Sequence, residues 1–278
     1  MLHSAVTARP TAWIQPVSAW LLNNVPPWLL LLSLSVVIAG GAVLIQAIAR
    51  RRFPGLKGDA QNDVTRFAFT VVAFLYAFLS GFLINAMWGQ INGADGRAAT
   101  EGSAAMQQAK GLVVFDKADG DLIRQSLLDY LREADAEWPV VADGQSYPAA
   151  DAALQRLYVA YQQVQPRNET QQKFLVVALN NLDKMSAERT ERVTVARTDT
   201  GPPWSLWLVN FVTSAMVLGC AIIFGGQRSA LHFTMVAVLG LLVACVLFLM
   251  VELSHPYLGE IATSPEPLQE VIQVLSPN

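Results

Sequence analysis

The sequence predicts an all-α membrane protein, with two transmembrane helical hairpins (four spans) and a helical extramembrane domain inserted between them. Three observations predict it. Of 278 residues, 53% are apolar and only 15% charged, with a positive mean hydropathy, which is a membrane composition rather than a soluble one. Four apolar runs reach roughly 20 residues, the length that crosses a bilayer core. The long polar stretch between the second and third runs keeps a helical period and shows no strand alternation. The chain therefore divides into residues 1–26, an N-terminal interfacial segment; 27–88, the first hairpin; 89–202, the helical domain; 203–253, the second hairpin; and 254–278, a C-terminal tail.

Residues 1–26 carry one arginine and three prolines and make a poor signal peptide. Trp13, Trp20 and Trp28 suit a segment at headgroup level. The first span starts at Pro27 and runs to about Ala49, ending in Arg50-Arg51-Arg52. Gly40-Gly41 is its small-residue patch, where another helix can approach closely. Pro54, Gly55 and Gly58 turn the chain straight back.

The second span runs from Arg66 to Trp88 and continues without proline to Lys110. Lipid cannot hold that polar extension, so one long helix crosses the membrane and stands out of it. In the inserted domain, Asp119 is the expected N-cap of a helix with Leu122, Ser126, Leu127, Tyr130 and Leu131 on one face, stopped by Pro139. A second helix covers Asp151 to Val164, with Leu154, Leu157, Tyr158 and Tyr161 on one face. A third covers Asn168 to Arg197, with Phe174, Val177 or Ala178, Leu182 and Met185 inward. Gly201-Pro202-Pro203 ends it. The third span is Pro203 to about Phe224 and the fourth is Leu231 to about Leu253, joined by the short link GGQRSALH.

A net charge of -3 gives no reason to expect nucleic acid. Cys220 and Cys245 lie in different apolar spans and read as packing residues. His3, His232 and His255 are scattered, so no metal site is expected. There is no nucleophile–base set and no phosphate loop, so neither an enzyme nor a cofactor is expected. Asp116, Asp119 and Asp121 lack the alternating spacing of a calcium loop and read as an acidic helix start.

Three groups remain as candidates. On the second span Phe67, Thr70, Phe74, Phe78, Gly81, Asn85, Trp88 and Asn92 share one helical face. Such a face suits a pore wall, with Thr70, Phe74, Phe78, Asn85 and Asn92 as lining; it also suits helix packing through Gly81 and Asn85. Glu188, Arg189, Glu191 and Arg192, with Arg97 and Glu101, form either a charged collar at a vestibule or a solvated face of local ion pairs. Glu252 closes the fourth span. A carboxylate there can bind a cation or relay protons, or anchor the helix at the interface or on the inserted domain.

Four stretches carry a resemblance: the second span running into Arg97-Ala98-Ala99-Thr100-Glu101; Glu137-Trp138-Pro139; Ala187-Glu188-Arg189-Thr190-Glu191-Arg192 followed by Gly201-Pro202-Pro203-Trp204; and Glu252 to Gly259 followed by Ser264-Pro265-Glu266-Pro267. In this order the chain resembles the bacterial bestrophin-like membrane proteins. The resemblance implies an oligomeric channel for inorganic anions in the bacterial inner (plasma) membrane, with a hydrophobic neck on the second span. It also implies a cytoplasmic helical domain. Positive charge on Arg50, Arg51, Arg52, Lys57, Arg66 and Arg228 points the other way: short linkers in the cytoplasm, helical domain and both termini outside. The expected partners are the lipid bilayer, further copies of the chain and small anions. The alternative function is a non-conducting membrane sensor or scaffold whose helical domain binds a partner.

Overall fold

The computed structural model describes residues 14–52, 62–198, 202–223 and 229–276. The described residues contain helices α1 (Ile14–Asn24), α2 (Pro27–Arg52), α3 (Asn62–Gly111), α4 (Lys117–Ala142), α5 (Pro148–Gln163), α6 (Glu169–Thr198), α7 (Trp204–Ile223), α8 (Ser229–Glu252) and α9 (Glu266–Leu275), and no strand. The predicted turns at residues 53–61 and 224–228 lie outside the described residues, as does Trp13. Two compact units emerge, residues 1–89 with 200–261 and residues 90–199 with 262–278. Helix α3 contributes to both.

The first unit contains four apolar helices long enough to cross a membrane, on α2, α3, α7 and α8. Most of their side chains face outward, as lipid permits. Helix α2 packs chiefly on α8. The crossing is set by Gly240, where a Cβ would lie 2.6 Å from the Ala39 Cα. Only hydrogen lets the two backbones approach so closely. The expected patch at Gly40-Gly41 is not that contact: both positions look into open space. Ala42, Ala221 and Val236 form the small core beside it, with Phe69, Leu218 and Leu239 packed around. Arg50, in the last turn of α2, lies over the Phe233 ring, 5.3 Å from its centroid, and donates to His232 Nδ1 at 2.5 Å. The Nε2–H of His232 donates to the Ala221 carbonyl at 2.7 Å. The interfacial segment is helical from Ile14. Its Ser18 bonds His255 at 2.9 Å.

The second unit is a helical bundle. Its core stripe on α4 is Ile123, Leu127, Tyr130, Leu131, Ala134, Trp138 and Val141. Leu127, Tyr130 and Leu131 of the expected face are buried, but Leu122 is exposed and Ile123 takes its place. Helix α4 also starts earlier, with Asp116 at the N-cap position, and runs through Pro139 to Ala142. Pro139 sits within the last turn, where its missing N–H removes one bond and the Pro139 carbonyl still accepts from Asp143 N–H at 3.2 Å. On α6 the inward residues are Ala178, Leu182 and Met185, whereas Val177 is half-exposed.

The segment expected to be a tail contains α9. Leu268, Val271 and Leu275 recur at helical spacing and are buried, each contributing on the order of 2 kcal/mol of apolar burial. The Pro267 Cβ lies 2.6 Å from where a Cβ of Gly102 would be. Polar bonds fix the segment further: Trp138 Nε1–H donates to the Thr263 carbonyl at 3.0 Å, Thr263 O–H to Asp95 at 2.6 Å, and Arg124 Nη2 to the Leu275 carbonyl at 2.7 Å.

Candidate functional site

The candidate lining residues do share one side of α3. Phe67, Thr70, Phe74, Phe78, Gly81, Asn85, Trp88 and Asn92 are all exposed in the single chain, with Phe74 at 67% and Phe78 at 62%. The opposite side is buried: Tyr76, Ser80, Leu83, Met87, Ile91, Ala94 and Ala98. A Cβ at Gly81 would meet nothing within 4 Å, so Gly81 is no packing point within the chain. The exposed side continues past Asn92 as Gly96, Ala99 and Ser103. Exposed phenylalanines suit lipid as well as another chain. Exposed amides do not suit lipid, because hydrocarbon offers no hydrogen-bond partner.

The six expected collar residues separate into two groups, and here the structure corrects the sequence reading. Glu101, Arg189 and Arg192 are not on a solvated face; they are 0%, 4% and 2% exposed. They pair across helices rather than locally: both arginines reach Glu137 on α4, and Glu101 is held by Arg192 and Tyr130. Arg189 grips Glu137 with two bonds, Nε to Oε2 at 2.9 Å and Nη2 to Oε1 at 2.6 Å, and reaches Asp151 at 2.8 Å. Arg192 bridges Glu101 at 3.3 Å and Glu137 at 3.2 Å, with its guanidinium 4.2 Å over the Trp138 ring. Tyr130 donates its O–H to Glu101 at 2.8 Å.

Two buried carboxylates thus face two buried guanidiniums, and the cage is neutral. Burial pushes the Tyr130 phenol well above its ordinary range, and the Glu101 charge adds to this. For Arg189 burial opposes the charged form, but the bonds and charge of Glu137 outweigh it and raise the guanidinium further. Arg97 stays outside, paired with exposed Glu191 at 3.1 Å. Glu188 is half-buried. The sequence reading missed Glu137 as an ion partner. The signal was its register: with Tyr130, Ala134 and Val141 it falls on the core stripe of α4, where a charge must have a partner.

Glu252 is 2% exposed, and its Oε2 has no hydrogen-bond partner among the described residues. Gly259 backs onto it. Its φ of +98° is a conformation that favours glycine, and a Cβ there would stand 3.3 Å from Glu252 Oε2 and 3.2 Å from Leu22. Among the described residues no three His, Cys, Asp or Glu side chains converge as metal ligands. Cys220 and Cys245 are free thiols.

Four apolar crossing helices, with one running on into a bundle of helices, define a multi-pass all-α membrane protein in lasting contact with lipid. The chain matches the model of the Bestrophin-like domain over residues 36–268; it belongs to the bestrophin-like family. Its fold resembles solved structures of a bacterial bestrophin homologue from Klebsiella pneumoniae. One matches with TM-score 0.63 and 16% identity over 88% of this chain and 97% of that one. A second variant gives 0.64 and 15% over 88% and 94%. A third gives 0.59 and 14% over 88% and 96%. No curated protein matches the chain.

Proposed function

We propose that the chain is one subunit of a ring-shaped ion channel for small inorganic anions, walled by the exposed face of α3. The observation that carries this reading is the exposure of Asn85, within the span, in line with Phe74 and Phe78. Lipid leaves amides unsatisfied, so this face needs water or a further copy of the chain beside it. Phenylalanine rings narrow a pore and gate it by dewetting, while Thr70, Asn85 and Asn92 replace part of an ion's hydration. Family membership supports the same reading. The buried Glu101–Glu137–Arg189–Arg192 cage then holds the wall's extension in place, and Arg97 with Glu191 remains as surface charge. The membrane is the bacterial inner membrane. The positive-inside rule puts the Arg50–Arg52 end of α2 in the cytoplasm and the helical domain outside. Thiol labelling of an added cysteine at the exposed Val113 from either side of a spheroplast membrane checks that orientation.

The functional test is halide flux into liposomes holding the purified protein. Wild type should conduct, and Phe74→Ala/Phe78→Ala should conduct several-fold faster. Asn85→Cys should cross-link copies of the chain. Absence of flux from both proteins, shown to be folded and inserted, overturns the channel reading in favour of a sensor or scaffold.

A further inference from the structure

The three arginines that end α2 do not share one environment. On one side of the helix Ala42 and Gln46 are buried, and Arg50 follows them at helical spacing, held by Phe233 and His232 of α8. On the other side Leu44, Ile45 and Ile48 are each more than half exposed. Arg51 and Arg52 stand one turn beyond Ile48 on that side and are exposed as well. An apolar strip that faces outward along the span therefore ends on two outward guanidiniums. The charge around them is one-sided. Residues 50–66 hold four arginines and one lysine against Asp59 and Asp63. Helices α1, α2 and α7 carry no carboxylate, and α8 carries only Glu252, its last residue.

We propose that Arg51 and Arg52 bind the phosphate of an anionic phospholipid whose acyl chains lie along Leu44, Ile45 and Ile48. A guanidinium presents paired N–H groups that match two phosphate oxygens. Its aliphatic stem lies along apolar surface while its head stays at the interface, which is headgroup depth at the end of a span. Basic side chains at a membrane surface attract anionic lipid. A zwitterionic headgroup brings its own ammonium, which the same cluster repels. A free phosphate ion would meet the guanidiniums but leave the apolar strip uncovered. The strip is what makes the occupant a lipid, and the arginines are what make it an anionic one. Arg50 takes no part, because its guanidinium is turned to α8. The site lies inside one subunit and does not depend on the channel reading.

Binding is measured on the purified full chain in detergent micelles, without flux. Phosphatidylglycerol and phosphatidylcholine with the same acyl chains are supplied in equal amounts, and the lipid retained through gel filtration is counted by mass spectrometry. Phosphatidylglycerol should be enriched about tenfold. Arg51→Gln/Arg52→Gln should bring the ratio close to one, whereas Arg50→Gln should leave the enrichment in place. Should the double variant not fold, Arg52→Gln alone should lower the enrichment several-fold. No preference in the wild type, an equal loss in Arg50→Gln, or displacement of the lipid by inorganic phosphate alone overturns the proposal.

Discussion

In the helical unit the buried carboxylates Glu101 and Glu137 share two arginines and a tyrosine. In the membrane unit Gln46, Asn210, Ser214 and Glu252 each keep a buried polar atom without a partner among the described residues. The difference follows from what surrounds each unit. Around the helical unit, water competes for every charge, and a carboxylate enters the core only when the interior matches what water gave it. Around the spans, lipid offers polar groups nothing, so turning outward brings no relief. An unmatched group there persists where another chain, a water or an ion completes it. Full pairing of this cage therefore marks scaffolding, whereas the unmatched groups of the spans mark places a further partner can complete; outside the cage, Arg97 Nε and Gln108 Nε2 of the helical unit also lack a partner among the described residues.

The largest effect should come from Glu137→Ala, which leaves two buried guanidiniums short of their shared partner. It should destabilise the helical unit by about 3–5 kcal/mol, read as loss of its cooperative thermal transition. Asn210→Leu, by contrast, should cost about 1 kcal/mol, because it removes one neutral hydrogen bond, from the Ser80 hydroxyl. Equal losses from the two would break the contrast between the units.

Within the membrane unit, backbone proximity should outweigh polar bonding. Gly240→Val should force α8 away from Ala39 and cost about 1–3 kcal/mol, measured by thermal unfolding in detergent. Gly259→Ala should cost about 1–2 kcal/mol, since a methyl at φ +98° is strained and abuts Leu22. Smallest of all, Arg97→Ala should change stability by less than about 1 kcal/mol, because Glu191 is 60% exposed and water screens the pair.

The spans and the helical insert were legible because apolar length and helical period are local properties. The α3 face was legible for the same reason: Phe74, Phe78 and Asn85 share a side by spacing alone. Long-range choices were not. Gly40-Gly41 and Gly240 look equally suited to close packing, and only the partner helix decides between them. Arg189 and Arg192 looked solvated because their partner Glu137 lies 52 and 55 positions away in the chain. Helix α9 was hidden by the prolines before it, although Leu268, Val271 and Leu275 carry a clear period.

The position of α9 in the chain also sets an order of manufacture. Synthesis proceeds from the N-terminus, so α4, α5 and α6 leave the ribosome before either helix of the second hairpin. Their bundle still lacks a wall at that point, because Leu268, Val271 and Leu275 have not been made. Residues 262–276, which complete the unit, follow the last span. The helical unit can therefore close its core only after the second hairpin has been synthesised. Until then the α4 surface that receives α9 is open to chaperones, to proteases and to its neighbours.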